Sequence, residues 1–127
     1  MKRRVVDTSA IMAILLDEPG QDIAAKLASG GLLSSVNFAE ILTKCVEKAL
    51  PPDVARIYVR DANIEIVAFG AEDALVSAVL FAKTRKGILS LGDRACLATA
   101  ITRKATVVTA DRAWATLDLP CPIELIR

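Results

Sequence analysis

Four acids, Asp7, Glu40, Asp93 and Asp111, stand where apolar runs give way to segments with helical patterning. Carboxylates so placed can gather around a divalent cation if the fold brings them together. Asp7 closes the run Val5-Val6, and Asp111 closes Thr106-Val107-Val108-Thr109-Ala110. In open α/β sheets, ligands collect beyond the carboxyl ends of strands, which makes a shared site plausible. Two carboxylates drawn together repel by about 4 kcal/mol at an effective dielectric of about 20, so a cluster ordinarily needs a cation or bound protons. Each acid also has a local role open to it. Asp7, Asp93 and Asp111 precede helix-like segments, and aspartate is a favoured N-cap. Asn37 and Glu40 have the spacing of an N-cap and its third-residue carboxylate.

The chain has no histidine, which removes the usual general base near neutral pH and the commonest transition-metal ligand. Ser-His-Asp and Cys-His mechanisms are excluded. Cys45, Cys96 and Cys121 are odd in number and lack metal-binding spacing, so they read as reduced thiols. No glycine-rich phosphate loop of the Walker type is present. Carboxylates are the remaining chemical resource.

The elements that must position them alternate between strand and helix. Val5-Val6, Leu32 to Val36, Ile64 to Phe69, Thr106 to Thr109 and Ile123 to Ile126 read as five strands separated by helical segments. Such alternation predicts a largely parallel sheet with covering helices. Asp17-Glu18-Pro19-Gly20, Gly30-Gly31 and Pro51-Pro52 punctuate the helices. The clearest periodic segment begins near Asn37, with Phe38, Ile41, Leu42, Cys45, Val46 and Ala49 on one face. That stripe should face the core and leave Glu40 on the solvated side.

Residues 1–127 are expected to form one domain, with no internal repeat or linker. Hydrophobic residues make up 54% of the chain, high for a small soluble protein, which predicts a second subunit or a partner covering part of the surface. No stretch reaches the roughly 18 apolar residues of a membrane span. Thr8 to Leu16 is apolar after a basic start, but Asp7 interrupts it and Asp17-Glu18-Pro19 follows instead of a cleavage site. The expectation is a cytoplasmic protein without a targeting segment. Formal charge is only +1, yet removing the four acids above from the 15 leaves 11 against 16 bases. That excess can hold phosphates, with Arg94, Arg112 and Lys83-Arg85-Lys86 as candidates. Most aromatics, Trp114 included, sit in apolar patterns and read as packing residues.

Val5-Val6-Asp7-Thr8-Ser9-Ala10, Asn37-Phe38-Ala39-Glu40, Leu91-Gly92-Asp93-Arg94 and Val108-Thr109-Ala110-Asp111 together resemble the PIN domain family, and more narrowly its VapC ribonuclease toxins. The resemblance spans nearly the whole chain, with Pro51 to Thr84 contributing little. It implies a three-layer α/β/α sandwich around a mostly parallel sheet of about five strands. It further implies endonucleolytic cleavage of RNA with Mg²⁺ or Mn²⁺, and a cognate VapB-like antitoxin. On this reading Asp7 and Asp93 are the principal metal ligands, Glu40 and Asp111 complete the acidic pocket, and Ser9 and Thr109 are polar supports. A homodimer is expected, with Arg94 and Arg112 near the pocket mouth. Two other readings remain: a noncatalytic PIN-like RNA-binding or assembly module, and a different metal-dependent phosphoesterase.

Overall fold

The computed structural model describes residues 2–127. Its elements run β1 (Arg4–Val6), α1 (Thr8–Leu15), α2 (Gln21–Ala28), β2 (Leu32–Ser34), α3 (Ser35–Glu47), α4 (Pro52–Asp61), β3 (Glu65–Val67), α5 (Ala71–Lys83), α6 (Leu91–Arg103), β4 (Thr106–Thr109), a 3₁₀ turn (Arg112–Thr116) and β5 (Ile123–Leu125). The strands pair in parallel in the order β3-β2-β1-β4-β5. All five expected strands are present, and the sheet is parallel throughout.

Strand alternation builds two cores. Val6, Leu33 and Val108 face one side and pack with Ala10, Ile11, Ile41 and Val59. Val5, Leu32 and Val107 face the other and pack with Leu80, Leu97 and Trp114. A sheet covered by helices on both faces accounts for strands that are apolar without a polar side, and it gives the α/β/α sandwich. Most of α6 is buried, through Gly92, Ala95, Cys96, Leu97, Ala98, Thr99 and Ala100, and small side chains let it lie close to the sheet. Trp114 is 1% exposed and belongs to the core. Cys45 and Cys96 are buried free thiols. No helix among the described residues is long and apolar enough to cross a membrane.

Several boundaries differ from the sequence expectation. Ser34, not Asn37, caps α3, accepting from the backbone N–H of Val36 at 3.2 Å. This cap ends β2 two residues early. Starting α3 earlier also leaves Asn37 inside the helix and fully buried, so it does not act as an N-cap. Val46 is 65% exposed, and Ala49 lies past the helix end with φ 59°, so the expected core stripe narrows to Ile41 and Cys45 with Phe38 and Leu42 partly buried. Gly20, at φ 88°, is required by close approach, since a side chain there would strike the carbonyl of Ile126.

Asp73 fastens the two outer helices on the second face. It is 4% exposed, accepts from the Gly70 backbone N–H at 3.0 Å and from Thr102 at 2.8 Å, and pairs with Arg103 at 3.3 Å. Burial raises its pKa, but these donors outweigh burial and hold it below the ordinary carboxylate value. Its stabilising contribution is therefore full above the unfolded carboxylate pKa and is lost as pH falls through the lower folded value. Asp73→Ala should lower stability at pH 7 by about 2–3 kcal/mol in urea titrations, from the lost cap and charge-assisted hydrogen bonds. The gap to wild type should narrow as the sample is acidified below about pH 4.

Candidate active site

The chain lays down β1 at the centre, adds β2 and β3 on one side, then returns to add β4 and β5 on the other. The crevice beyond the carboxyl ends of β1 and β4 is the switch point of such a sheet. Asp7 leaves β1 into this crevice and is 5% exposed. It occupies the N-cap position of α1 but makes no side-chain capping bond. Its Oδ2 instead accepts from Ser9 Oγ at 2.6 Å and Thr109 Oγ1 at 2.8 Å. Those hydroxyls are held in turn by the loop after β4: Ala110 N–H donates to Ser9 Oγ at 2.9 Å, and Asp111 N–H donates to Thr109 Oγ1 at 3.0 Å. Burial pushes the Asp7 carboxyl up to about 6, against the lowering effect of Ser9 and Thr109 and with a further push from the charge of Asp93.

Glu40 lies on α3 facing the crevice, not on a solvated face. Thr8 Oγ1 donates to its Oε1 at 2.8 Å and Asn37 Nδ2 to the same oxygen at 2.9 Å. Asn37 Nδ2 also reaches the Gly92 carbonyl at 3.0 Å, tying α3 to the first turn of α6. A Cβ on Gly92 would overlap the Glu40 carboxylate, so the missing side chain at residue 92 is what lets that carboxylate lie against the first turn of α6.

Asp93 follows at the third position of α6, whose N-cap is Ser90. The two exchange bonds, Ser90 N–H to Asp93 Oδ2 at 3.0 Å and Asp93 N–H to Ser90 Oγ at 3.1 Å, a reciprocal cap rather than the N-cap expected of Asp93. Burial raises its pKa most, Ser90 opposes, and the charges of Asp111 and Glu40 raise it further. Asp111 does cap its element, accepting from Ala113 N–H at 3.0 Å at the head of the 3₁₀ turn.

All four acids line one cavity of about 450 Å³, with Thr8, Ser9, Ser90, Lys44, Lys48 and Arg127 also in its wall. Among the described residues, no three metal-ligating side chains converge closely enough to form a ready-made cage, so the four-acid cage expected from sequence is a shared pocket with looser spacing. The donor set nevertheless suits a hard cation. It is all oxygen, the charge of Asp93 raises the pKa of Asp7, those of Asp111 and Glu40 raise that of Asp93, and Mg²⁺ commonly takes only one or two carboxylates while keeping several waters.

The expected arginines are not in this wall. Arg94 turns toward α5, with its guanidinium 5.0 Å from the Phe81 ring centre and near Ser77, because the α6 position after Asp93 points away from the crevice. Arg112 is exposed on the 3₁₀ turn and also lies outside the cavity wall. Lys44, Lys48 and Arg127 take that place, and the sequence signal for the first two was their spacing of four and eight residues from Glu40. Asn37 was visible only as a capping candidate; recognising Ser34 as the cap would have put it inside the helix, one turn before Glu40.

A five-strand parallel sheet in this order, covered on both faces and with acids gathered at the switch point, defines a class of α/β/α domains with an acidic pocket at the carboxyl ends of its central strands. The PIN domain profile matches residues 4–119, and the chain belongs to the PIN domain family. A toxin-antitoxin complex from Klebsiella pneumoniae is similar over 98% of each chain, with TM-score 0.78 at 15% identity. DNA-bound VapBC from Salmonella typhimurium is similar over 100% of each chain, with TM-score 0.70 at 21% identity. VapBC-5 from Mycobacterium tuberculosis is similar over 100% of this chain and 99% of that one, with TM-score 0.58 at 22% identity. No curated protein matches the sequence significantly.

Because folding raises the Asp7 pKa from 3.8 to about 6, the folded metal-free protein holds, between those two pH values, a proton that the unfolded chain has released. The charged group costs nothing below about pH 4 and about 3 kcal/mol above pH 6. Asp7→Asn should therefore match wild type in acid and exceed it progressively between pH 4 and pH 6. Thermal unfolding of chelator-treated samples across that range measures the difference; a constant offset would contradict the assignment.

Proposed function

We propose that this protein is a metal-dependent endoribonuclease of the VapC toxin type, cytoplasmic and restrained by a VapB-like antitoxin. The observation that carries the reading is the convergence of Asp7, Glu40, Asp93 and Asp111, from four separate elements, on one cavity in a chain without histidine. The toxin-antitoxin complexes of like fold support the choice within the PIN family. Exposed apolar residues, including Val54 and Ile57 on α4, Ile66 on β3 and Leu75 and Val79 on α5, supply surface for an antitoxin and a second copy of the chain.

Asp7 and Asp93 would hold Mg²⁺ or Mn²⁺, which when bound supplies charge for the scissile phosphate and acidifies a water. The chain's own groups do the rest. Ser9 and Thr109 fix Asp7 through one oxygen, so its carboxylate is oriented before substrate arrives. Glu40, pinned through Oε1 by Thr8 and Asn37, and Asp111 at the exposed rim accept and position the proton leaving the attacking water. The new bond joins water oxygen to phosphorus, the ribose oxygen on the opposite side of phosphorus leaves with the bonding pair, and a proton returns to it from solvent.

Purified protein should cut discrete positions in structured cellular RNAs when Mg²⁺ or Mn²⁺ is present. Chelator, or an Asp93→Asn substitution in a protein that remains folded, should abolish cutting. Metal binding without RNA cleavage by wild type would favour a noncatalytic binding module, and preference for small phosphate esters would favour another phosphoesterase.

Asn37→Ala and Gly92→Ala test the Glu40 clamp separately. Each should reduce kcat about 10–100-fold, the usual effect of releasing a residue that orients a ligand. Circular dichroism should be unchanged, and full activity in both would remove Glu40 from the mechanism.

A further inference from the structure

We infer that α3 carries the track along which the RNA strand leaves the acids, with phosphates seated on Lys44 and Lys48. This rests on the ribonuclease reading above. Glu40, Lys44 and Lys48 form one row at four-residue spacing, and all three lie in the cavity wall. Successive members of such a row stand about 6 Å apart along the helix axis. The row thus begins at a carboxylate clamped in the acid pocket and runs outward through two cations.

Both lysines are exposed, and neither forms an ion pair among the described residues. Lys44 stands one turn from Glu40, yet Glu40 takes its hydrogen bonds from Thr8 and Asn37, which leaves the ammonium for another anion. Their place near the carboxyl end of α3 suits a cation by helix polarity alone, but helix polarity does not account for their position in this wall.

A second cavity adjoins the first across Glu40 and Lys44. Val36, Ala39, Thr43 and Leu91 give it a largely apolar floor, Glu47 borders it, and Leu91 is 58% exposed. An apolar recess beside a phosphate-binding cation matches a nucleotide, whose base offers a flat face next to its charge. The base carried between the two phosphates sits against Leu91.

The test is binding of a fluorescent single-stranded oligoribonucleotide by the full chain over a salt series, with cleavage kinetics beside it. Each phosphate held contributes about 0.7 to the slope of log affinity against log salt for single strands. Lys44→Gln/Lys48→Gln should lower the wild-type slope by about 1.4, so that a fourfold rise in salt weakens the variant about sevenfold less than wild type. KM should rise with kcat kept. Leu91→Ser should weaken binding and raise KM at unchanged slope. An unaltered slope in the double-lysine variant would overturn the track, as would lysines that only balance the acids, in which case the variant binds Mn²⁺ more tightly and RNA as before. Unaltered affinity in Leu91→Ser would overturn the base seat. Wild type that binds RNA on this slope without cutting it would count against the nuclease reading while leaving the track in place.

Discussion

Carboxylates repel, and this fold holds four of them around one crevice while one, Asp7, is nearly removed from water. Everything near the switch point answers that constraint. The acids do not come from one flexible loop. They come from the end of β1, the middle of α3, the first turn of α6 and the exit of β4, each anchored by backbone geometry. Hydroxyls and one amide fix Asp7 and Glu40, and helix-end N–H groups hold Asp93 and Asp111. The local and collective roles considered for Asp93 and Asp111 are therefore compatible, since a carboxylate that satisfies its own helix end can still present itself to the crevice.

The price of this arrangement falls on the covering helices. α6 must approach both the sheet and Glu40, which explains its run of small residues and the glycine at its start. α5 closes over α6 and is fastened at Asp73, away from the acids. The result separates a rigid polar centre from an outer surface that still carries apolar side chains.

Much of the fold was legible because the three central strands, β2, β1 and β4, are largely buried and read as short apolar runs, while the edge strands β3 and β5 are more exposed and each keep a glutamate in a mainly apolar run. Asp7, Asp93 and Asp111 were legible because strand ends and helix starts mark where an α/β sheet puts functional groups, whereas Glu40, in the middle of α3, was read only through its spacing from Asn37 and the family motif. The surroundings were less so. Asn37 has the same spacing to Glu40 whether it caps a helix or clamps a carboxylate inside one, and only the Ser34 cap decides between them. Arg94 is next to Asp93 in sequence, but adjacent helical residues point about 100° apart, which sends its side chain to Phe81. Val46 fits the apolar period, yet no element covers that part of α3.

The position of Arg127 has a practical side. β1 enters the sheet at its amino edge, whereas Arg127 follows β5 out of the carboxyl edge, donates to the Pro19 carbonyl at 2.8 Å and forms part of the acidic cavity wall. Any chain that continues past Arg127, natural or added, therefore starts at the mouth of the site, where its charges compete with incoming ligands and where histidines would bring imidazoles to a pocket that has none.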